Sequence, residues 1–328
     1  MVHFEWSRGN WKYGDASQSK LYSYDANNKI MPINVLPSSV AEKMLGVFVS
    51  PDGKETAQID FMKDKAIKLG EYIQTGHVQK HEAWIAMSTM VMKALEYLLP
   101  ALNISENDMT SIMWPILKHF LPKSGLNRYI ARKVLYGSFN RQGLCIKNPF
   151  LQQGINHVVD IVENLWKGTI TGHHIQATLE QLWIELGCNQ QLLESDYSKY
   201  QNILLTESWI RSTWEFCSSQ NITIKDNTPY IPLLRENNVC IMEEFLKHPL
   251  ISESELHSLN KCRIFLQSFS LADITTGDGK EISKAAWDGK AVSPYRKNIH
   301  WPRWGKPTPS EWSQWKRAIR LTFTNQSD

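Results

Sequence analysis

Residues 56–76 read TAQIDFMKDKAIKLGEYIQTG, and this stretch decides the fold class. Its apolar residues recur every three or four positions, at Ile59, Met62, Ala66, Leu69 and Ile73. This period places them on one face of an α-helix, which has to be buried against other elements. The sequence therefore predicts an amphipathic helix that begins near Thr56 and ends near Gly76.

The same period continues through much of the chain. A second helix is predicted from about Lys80 to Leu98, before Pro100, and a third begins after Ser105. Their inward-facing residues are Trp84, Met87, Val91, Leu95 and Leu98 in the second helix and Ile112, Ile116 and Phe120 in the third. Further helices are expected at 127–137, 150–167, 171–186, 202–218, 237–247, 254–269 and 310–323.

The first 53 residues have a different pattern, typical of β-hairpins. Apolar residues alternate on both sides of turns at 7–10 and 25–28, and Pro32 indicates an edge strand. A last strand is expected at Leu45-Gly46-Val47-Phe48-Val49. The predicted fold class is mainly α with a small N-terminal antiparallel β unit (α+β). We expect three domains: β-hairpins at 1–53, a helical bundle at 54–218, and a mixed, tryptophan-rich extension at 219–328.

Composition excludes several classes of protein. The 36 basic and 33 acidic residues leave a net charge of +3, too small by itself to indicate polyanion binding. The five cysteines are dispersed and form no Cys-x-x-Cys pair, which suits a reducing compartment. No apolar run approaches the ~18–20 residues that a membrane span needs. We expect a cytoplasmic or nuclear protein with no membrane partner.

The sequence contains no complete catalytic motif. No phosphate-binding glycine loop or nucleophile elbow is present. His77 and His81 have the spacing of two zinc ligands but no evident third ligand, so surface histidines are the simpler interpretation. Asp273 and Asp278 suggest a carboxylate loop, which a tight turn at Asp278-Gly279 explains better than calcium binding. We expect no enzyme activity and no cofactor on this chain alone.

The distribution of charge is the most informative feature for function. Residues 109–159 contain no Asp or Glu. Their cations are Lys118, Lys123, Arg128, Arg132, Lys133, Arg141 and Lys147. A one-sign stretch with interleaved aromatic residues is typical of proteins that bind the phosphate backbone of nucleic acids. The alternative is an incidental basic face without a ligand.

In the first interpretation, the seven cations contact phosphates without reading sequence. Tyr129 and Tyr136 are then candidates for stacking on bases. Neutralising six or seven phosphates would lower affinity by about 10³–10⁵ between 50 and 200 mM salt.

The tryptophan-rich segment from Trp287 to Trp315 motivates a different hypothesis, a helical protein-interaction module with no nucleic-acid role. The last helix is amphipathic. Its apolar face carries Trp312, Trp315, Ile319 and Phe323. Docking on the chain's own core is the simpler use of that face.

The order of these segments resembles the region after the catalytic palm in reverse transcriptases of non-long-terminal-repeat retroelements. In that family a Leu-Gly-Val/Ile strand forms the primer-grip hairpin, thumb helices follow, and a Gly-Gly-Leu-Gly-Ile-like turn comes later. This chain has Leu45-Gly46-Val47, the helices at 56–75 and 80–98, and then Gln142-Gly143-Leu144-Cys145-Ile146, which lacks two of the glycines. Residues 259–267 and 271–279 are similar to the carboxy-terminal extension of such polyproteins.

The resemblance implies a non-catalytic fragment of a reverse transcriptase-like protein, with a primer grip at Leu45, Gly46 and Val47. Its thumb-like helical bundle would contact RNA or DNA template–primer duplex. The family's polymerase uses Mg²⁺ held by palm aspartates that include an Asp-Asp turn, and this chain contains no Asp-Asp dipeptide. The palm and fingers would then lie upstream of Met1 and act as a further partner.

Overall fold

The structure is a computed structural model, and it describes residues 4–7, 10–14, 21–33, 36–204, 207–225, 238–290, 301–302 and 304–324. The chain separates into two compact units, Met1–Asn156 (unit 1) and His157–Asp328 (unit 2). This division falls inside a helix, and the three domains expected from the sequence stay a prediction. Among the described residues, no helix is both long enough and apolar enough to span a bilayer.

Unit 1 begins with antiparallel hairpins, as the alternating sequence predicts. The described residues form three of them. The strands are β1 (Phe4–Ser7) with β2 (Asn10–Tyr13), β3 (Leu21–Tyr24) with β4 (Ile30–Ile33), and β5 (Glu42–Met44) with β6 (Val47–Val49). Arg8 and Gly9, in the first predicted turn, lie outside the described residues. Pro32 sits in an edge position opposite Tyr22.

The helices of unit 1 follow the hairpins. They are α1 (Thr56–Thr75), α2 (Lys80–Ala86), α3 (Met92–Glu96), α4 (Glu106–Lys123), α5 (Arg132–Tyr136) and the start of α6 (Pro149–Asn164). A π-helical turn at Met87–Val91 joins α2 to α3 within the helix predicted at 80–98. The inward-facing residues predicted for this helix and for α4 are buried, apart from Trp84, which is partly buried. The mainly α fold class with a small β unit is confirmed.

Two expectations for unit 1 need correction. The strand predicted over Leu45–Val49 is shorter, because Leu45 and Gly46 form the two-residue turn between β5 and β6. The helix expected at 127–137 is reduced to α5, since Asn127 accepts a local hydrogen bond from the Tyr129 amide and forms a turn. Asparagine favours such side-chain-to-backbone turns over helix.

Unit 2 is helical in its described residues. Its helices are the end of α6, then α7 (Ile170–Leu186), α8 (Trp209–Ser219), α9 (Ile241–Lys247), α10 (Glu253–Phe265), α11 (Lys284–Trp287) and α12 (Pro309–Ile319), with a π-helical turn at Arg320–Thr324. The helix expected at 202–218 starts later, at Trp209, where Ser208 supplies the cap by accepting the Arg211 amide.

The amphipathic face of α12 packs inside unit 2. Trp315 and Ile319 are 1% and 0% exposed. Trp312 lies edge-on to Phe265 of α10, and Trp315 lies edge-on to Phe245 of α9. This face therefore packs on the chain's own core. The amphipathic character of the last helix thus needs no partner protein to explain it.

A fully buried arginine holds unit 2 together at the end of α7. Arg263 donates to the carbonyl oxygens of Ile184 (2.6 Å), Glu185 (2.9 Å) and Ser268 (3.0 Å). The last carbonyls of a helix have no partner within it, and a cation there also complements the helix dipole. Burial lowers the pKa of Arg263 to about 10, so the guanidinium is still charged at neutral pH.

Replacing this side chain should destabilise unit 2 strongly. The Arg263→Met substitution removes a donor from three carbonyl oxygens, of which, in the described part of the chain, only that of Glu185 keeps a side-chain bond, from Asn260. We expect a loss of roughly 3 kcal/mol or more in the free energy of unfolding. Urea denaturation followed by circular dichroism measures this loss. Arg317→Met is the control, because Arg317 is 52% exposed and its ion pair with Glu255 should contribute under about 1 kcal/mol. Equal losses for the two variants would contradict this role of Arg263.

Candidate functional site

Helix α4 carries the candidate surface. It begins at Ser105, whose hydroxyl oxygen accepts the Asp108 amide at 3.1 Å. Its inner face, with Ile112, Ile116 and Phe120, is buried. The outer face therefore presents Trp114, which is 41% exposed, and the exposed Lys118 one turn later.

Four of the seven predicted phosphate ligands are exposed and form no ion pair with the described residues. They are Lys118, Arg128, Lys133 and Arg141. A charge held at a surface without a counter-ion in its own chain is available to a polyanion.

Two other predicted ligands are engaged inside unit 1. Lys123 donates to the carbonyl oxygen of Gly76 at 3.0 Å, at the end of α1. The Nζ atom of Lys147 lies 2.7 Å from Glu96 Oε1. These contacts give both lysines a structural use, so neither belongs to the surface defined below.

His119 reports the local positive potential. Its pKa is lowered from the usual value by partial burial and then by the positive charges of Lys118 and Arg128, while Glu71 acts in the opposite direction. The charges of Lys118 and Arg128 thus act on the same group, so both cations lie near His119.

Arg132 and Lys133 extend this positive region onto α5. Both line a cavity of about 310 Å³ between α4 and α5, together with Trp114 and Tyr136. The guanidinium carbon of Arg132 lies 5.8 Å from the centre of the Trp114 ring. We call Trp114, Lys118, Arg128, Arg132 and Lys133 the α4–α5 basic face.

One hydrogen-bond donor of the α4–α5 basic face is buried without an acceptor among the described residues. This donor is the Nη1 atom of Arg132. An unpaired buried donor costs about 1–3 kcal/mol, and more when it is charged.

The two predicted stacking residues occupy different environments. Tyr129 is 81% exposed, whereas Tyr136 is half-buried in the cavity wall. Burial raises the pKa of the Tyr136 hydroxyl, and the charge of Arg132 partly opposes this change. Tyr129 is thus accessible to a base from solvent, and Tyr136 only to a ligand inside the cavity.

Arg141 lies apart from the face in the described contacts. It ends a short 3₁₀ turn, Phe139–Arg141, whose hydrogen bonds are to Ser138 and to neighbouring loop residues. The structure gives it an exposed position at a loop tip but does not join it to α4.

The predicted primer-grip residues form a strained hairpin tip. Leu45 and Gly46 both have positive φ, +49° and +93°, as a type I′ two-residue turn requires. The Tyr97 hydroxyl donates to the Leu45 carbonyl oxygen at 3.0 Å and holds the tip. The Leu45 side chain is 92% exposed. In the described contacts this tip and the α4–α5 basic face do not meet.

The remaining polar candidates are explained by local structure. The Asp273 carboxylate accepts the amides of Phe269 and Ser270, so it caps a turn. Asp278-Gly279 is a tight turn, closed by the Gly279 amide donating to Thr276. Among the described residues, no group of three or more His, Cys, Asp or Glu side chains could hold a metal ion, and His77 with His81 gains no third ligand.

Sequence reasoning missed one residue of this site, Trp114. Trp114 lies four residues before Lys118, so helical spacing on α4 is the signal that places the two on one face. Comparisons with protein families, curated proteins and solved structures found no match to this chain.

The hairpin tip gives a test of stored strain. Leu45→Asn creates Asn-Gly, the pair that a type I′ turn favours, so we expect about 1 kcal/mol of added stability. Urea denaturation of the full chain measures it. Gly46→Ala is the matched control and should lose at least about 1 kcal/mol, because alanine tolerates a φ of +93° poorly. Destabilisation by Leu45→Asn would show that the leucine side chain, not the turn conformation, matters for folding.

Proposed function

We propose that unit 1 binds nucleic-acid duplex without sequence specificity, through the α4–α5 basic face. The observation that carries the proposal is a set of cations, free of acidic partners in the described residues, beside an exposed tryptophan. Cations of this kind would contact phosphates, and the exposed rings of Trp114 and Tyr129 would contact bases at a frayed or single-stranded end.

The proposed face is smaller than the seven cations of the acid-free stretch. Its four cations are Lys118, Arg128, Arg132 and Lys133. With four phosphates neutralised, affinity for duplex should fall on the order of 10²-fold between 50 and 200 mM salt. This is less than the fall expected if all seven cations took part.

The proposal extends to a thumb-like role in a reverse transcriptase-like protein. It is supported by the chain order alone: a tight hairpin at β5–β6, two long helical segments, then the basic helix pair α4 and α5. We assign no catalytic step to this chain. The palm and fingers of such a protein would supply Mg²⁺ and the chemistry.

Neutralising two cations of the face tests duplex binding. In the double variant Lys118→Gln with Arg128→Gln, the slope of log affinity against log salt should become shallower by about 2, because two phosphate contacts are lost. Fluorescence anisotropy with a labelled RNA–DNA duplex at 50–200 mM salt gives the slope.

The matched control for this experiment is Lys68→Gln. Lys68 is exposed, and it lies two residues, or about 200° around α1, from Gly70, which faces α4. Its replacement should leave the slope unchanged. Absence of duplex binding at 50 mM salt, or a salt-independent affinity, would refute the proposal.

A second candidate function, helical protein interaction, is favoured by a separate observation in unit 2. Val159 and Val162 of α6 and the adjacent Trp166 are 43%, 60% and 55% exposed. Their spacing of three and four residues places them on one side of the helix. An exposed apolar patch of this kind is typical of contact with a partner helix. A second copy of the chain carries the same patch and can supply that helix.

Light scattering tests this candidate. If the patch pairs two copies, Val162→Glu with Trp166→Glu should shift the molar mass from dimer to monomer, because buried carboxylates without partners oppose association. Glu163→Gln, an exposed change on the same turn, should leave the mass unchanged. A monomeric unmodified protein at the highest measurable concentration would exclude self-association through this patch.

A further inference from the structure

The cavity between α4 and α5 has chemistry that duplex binding does not require. Its apolar wall is formed by Met109, Met113 and Leu117. Arg132 and Lys133 supply positive charge, and Trp114 supplies an aromatic surface. Contacts with phosphates along a duplex require cations at the surface but no apolar cavity beside them.

We propose that this cavity binds one nucleoside monophosphate group, with its phosphate on Arg132 and its base against Trp114. The inference goes beyond duplex binding and does not rest on it. The same chemical group can come from a free mononucleotide or from the 5′ end of a strand.

Arg132 is the part of the cavity that selects an anion. The residue lines the cavity, and it forms no ion pair among the described residues. A guanidinium presents parallel N–H donors that match two oxygens of a phosphate. Lys133 adds a second positive charge, against the single carboxylate of Glu106 in the lining.

Trp114 and the volume of the cavity define the rest of the ligand. The indole is 41% exposed and contributes to the cavity lining, so a planar ring can reach it. Stacking on an aromatic side chain tolerates every base. The volume of about 310 Å³ is at the small end of the range for ligand pockets, which suits one nucleotide rather than an extended cofactor.

Calorimetric titration of the full chain tests the proposal with AMP, adenosine and inorganic phosphate as probes. AMP should bind at least about 10-fold more tightly than adenosine or phosphate, because only AMP uses both Arg132 and Trp114. Arg132→Gln and Trp114→Leu should each weaken AMP binding, the former at least about 10-fold. Lys68→Gln should leave it unchanged.

Strands with a 5′-phosphate or a 5′-hydroxyl distinguish the two sources of the ligand. A preference for the 5′-phosphate that Arg132→Gln abolishes identifies a strand end, and Arg132-dependent binding of AMP alone identifies a free mononucleotide. The proposal is overturned if phosphate binds as tightly as AMP. It is also overturned if Arg132→Gln changes neither the affinity for AMP nor the preference for a 5′-phosphorylated strand.

Two further measurements distinguish loss of the binding site from loss of folding. Circular dichroism checks that Arg132→Gln is folded, and if it is not, Arg132→Lys takes its place, since lysine keeps the charge but loses the paired donors. That variant should still weaken AMP binding several-fold. The salt dependence of duplex affinity is measured in a separate experiment. A failure of duplex binding can therefore be distinguished from a failure of AMP binding in the cavity.

Discussion

The close packing of α1 against α4 is the constraint on which unit 1 depends. A Cβ atom at Gly70 would lie 2.7 Å from the carbonyl oxygen of Pro115, nearer than van der Waals contact allows. Only glycine lets the two helices approach this closely. The contact fixes which side of α4 faces the core, and hence which side carries Trp114 and Lys118 to solvent.

The functional surface follows from that orientation. With one side of α4 committed to the core, another part of the helix lines the cavity, together with residues of α5 and the start of α6. The acid-free sequence contributes no carboxylate to the cavity lining, whose acidic residue among those that the structure describes is Glu106. The same charge distribution that favours a polyanion on the surface favours a small anion inside.

The buried faces could be predicted from the sequence, whereas the partners of polar groups could not. Helical period alone identified Met87, Val91 and Leu95 as core, since burial of one face is a local property of spacing. Lys123 and Lys147 looked like free cations because their partners, Gly76 and Glu96, are distant in the chain. At Leu45 the sequence predicts a strand and the structure has a turn, because leucine rarely adopts the positive φ that this turn requires.

Arg263, which binds the last carbonyl oxygens of α7, also constrains the order in which the chain can fold. Arg263 and the Ile184 carbonyl that it binds are 79 residues apart, and the side chain of Asn260 spans a similar interval to Glu185. Such long intervals make contacts slow to form, because a large loop must close before they contribute. Contacts of unit 1 described above span shorter intervals, 52 residues from Tyr97 to Leu45 and 47 residues from Lys123 to Gly76. Unit 2 has to wait for residue 263, and until then the end of α7 is open to water.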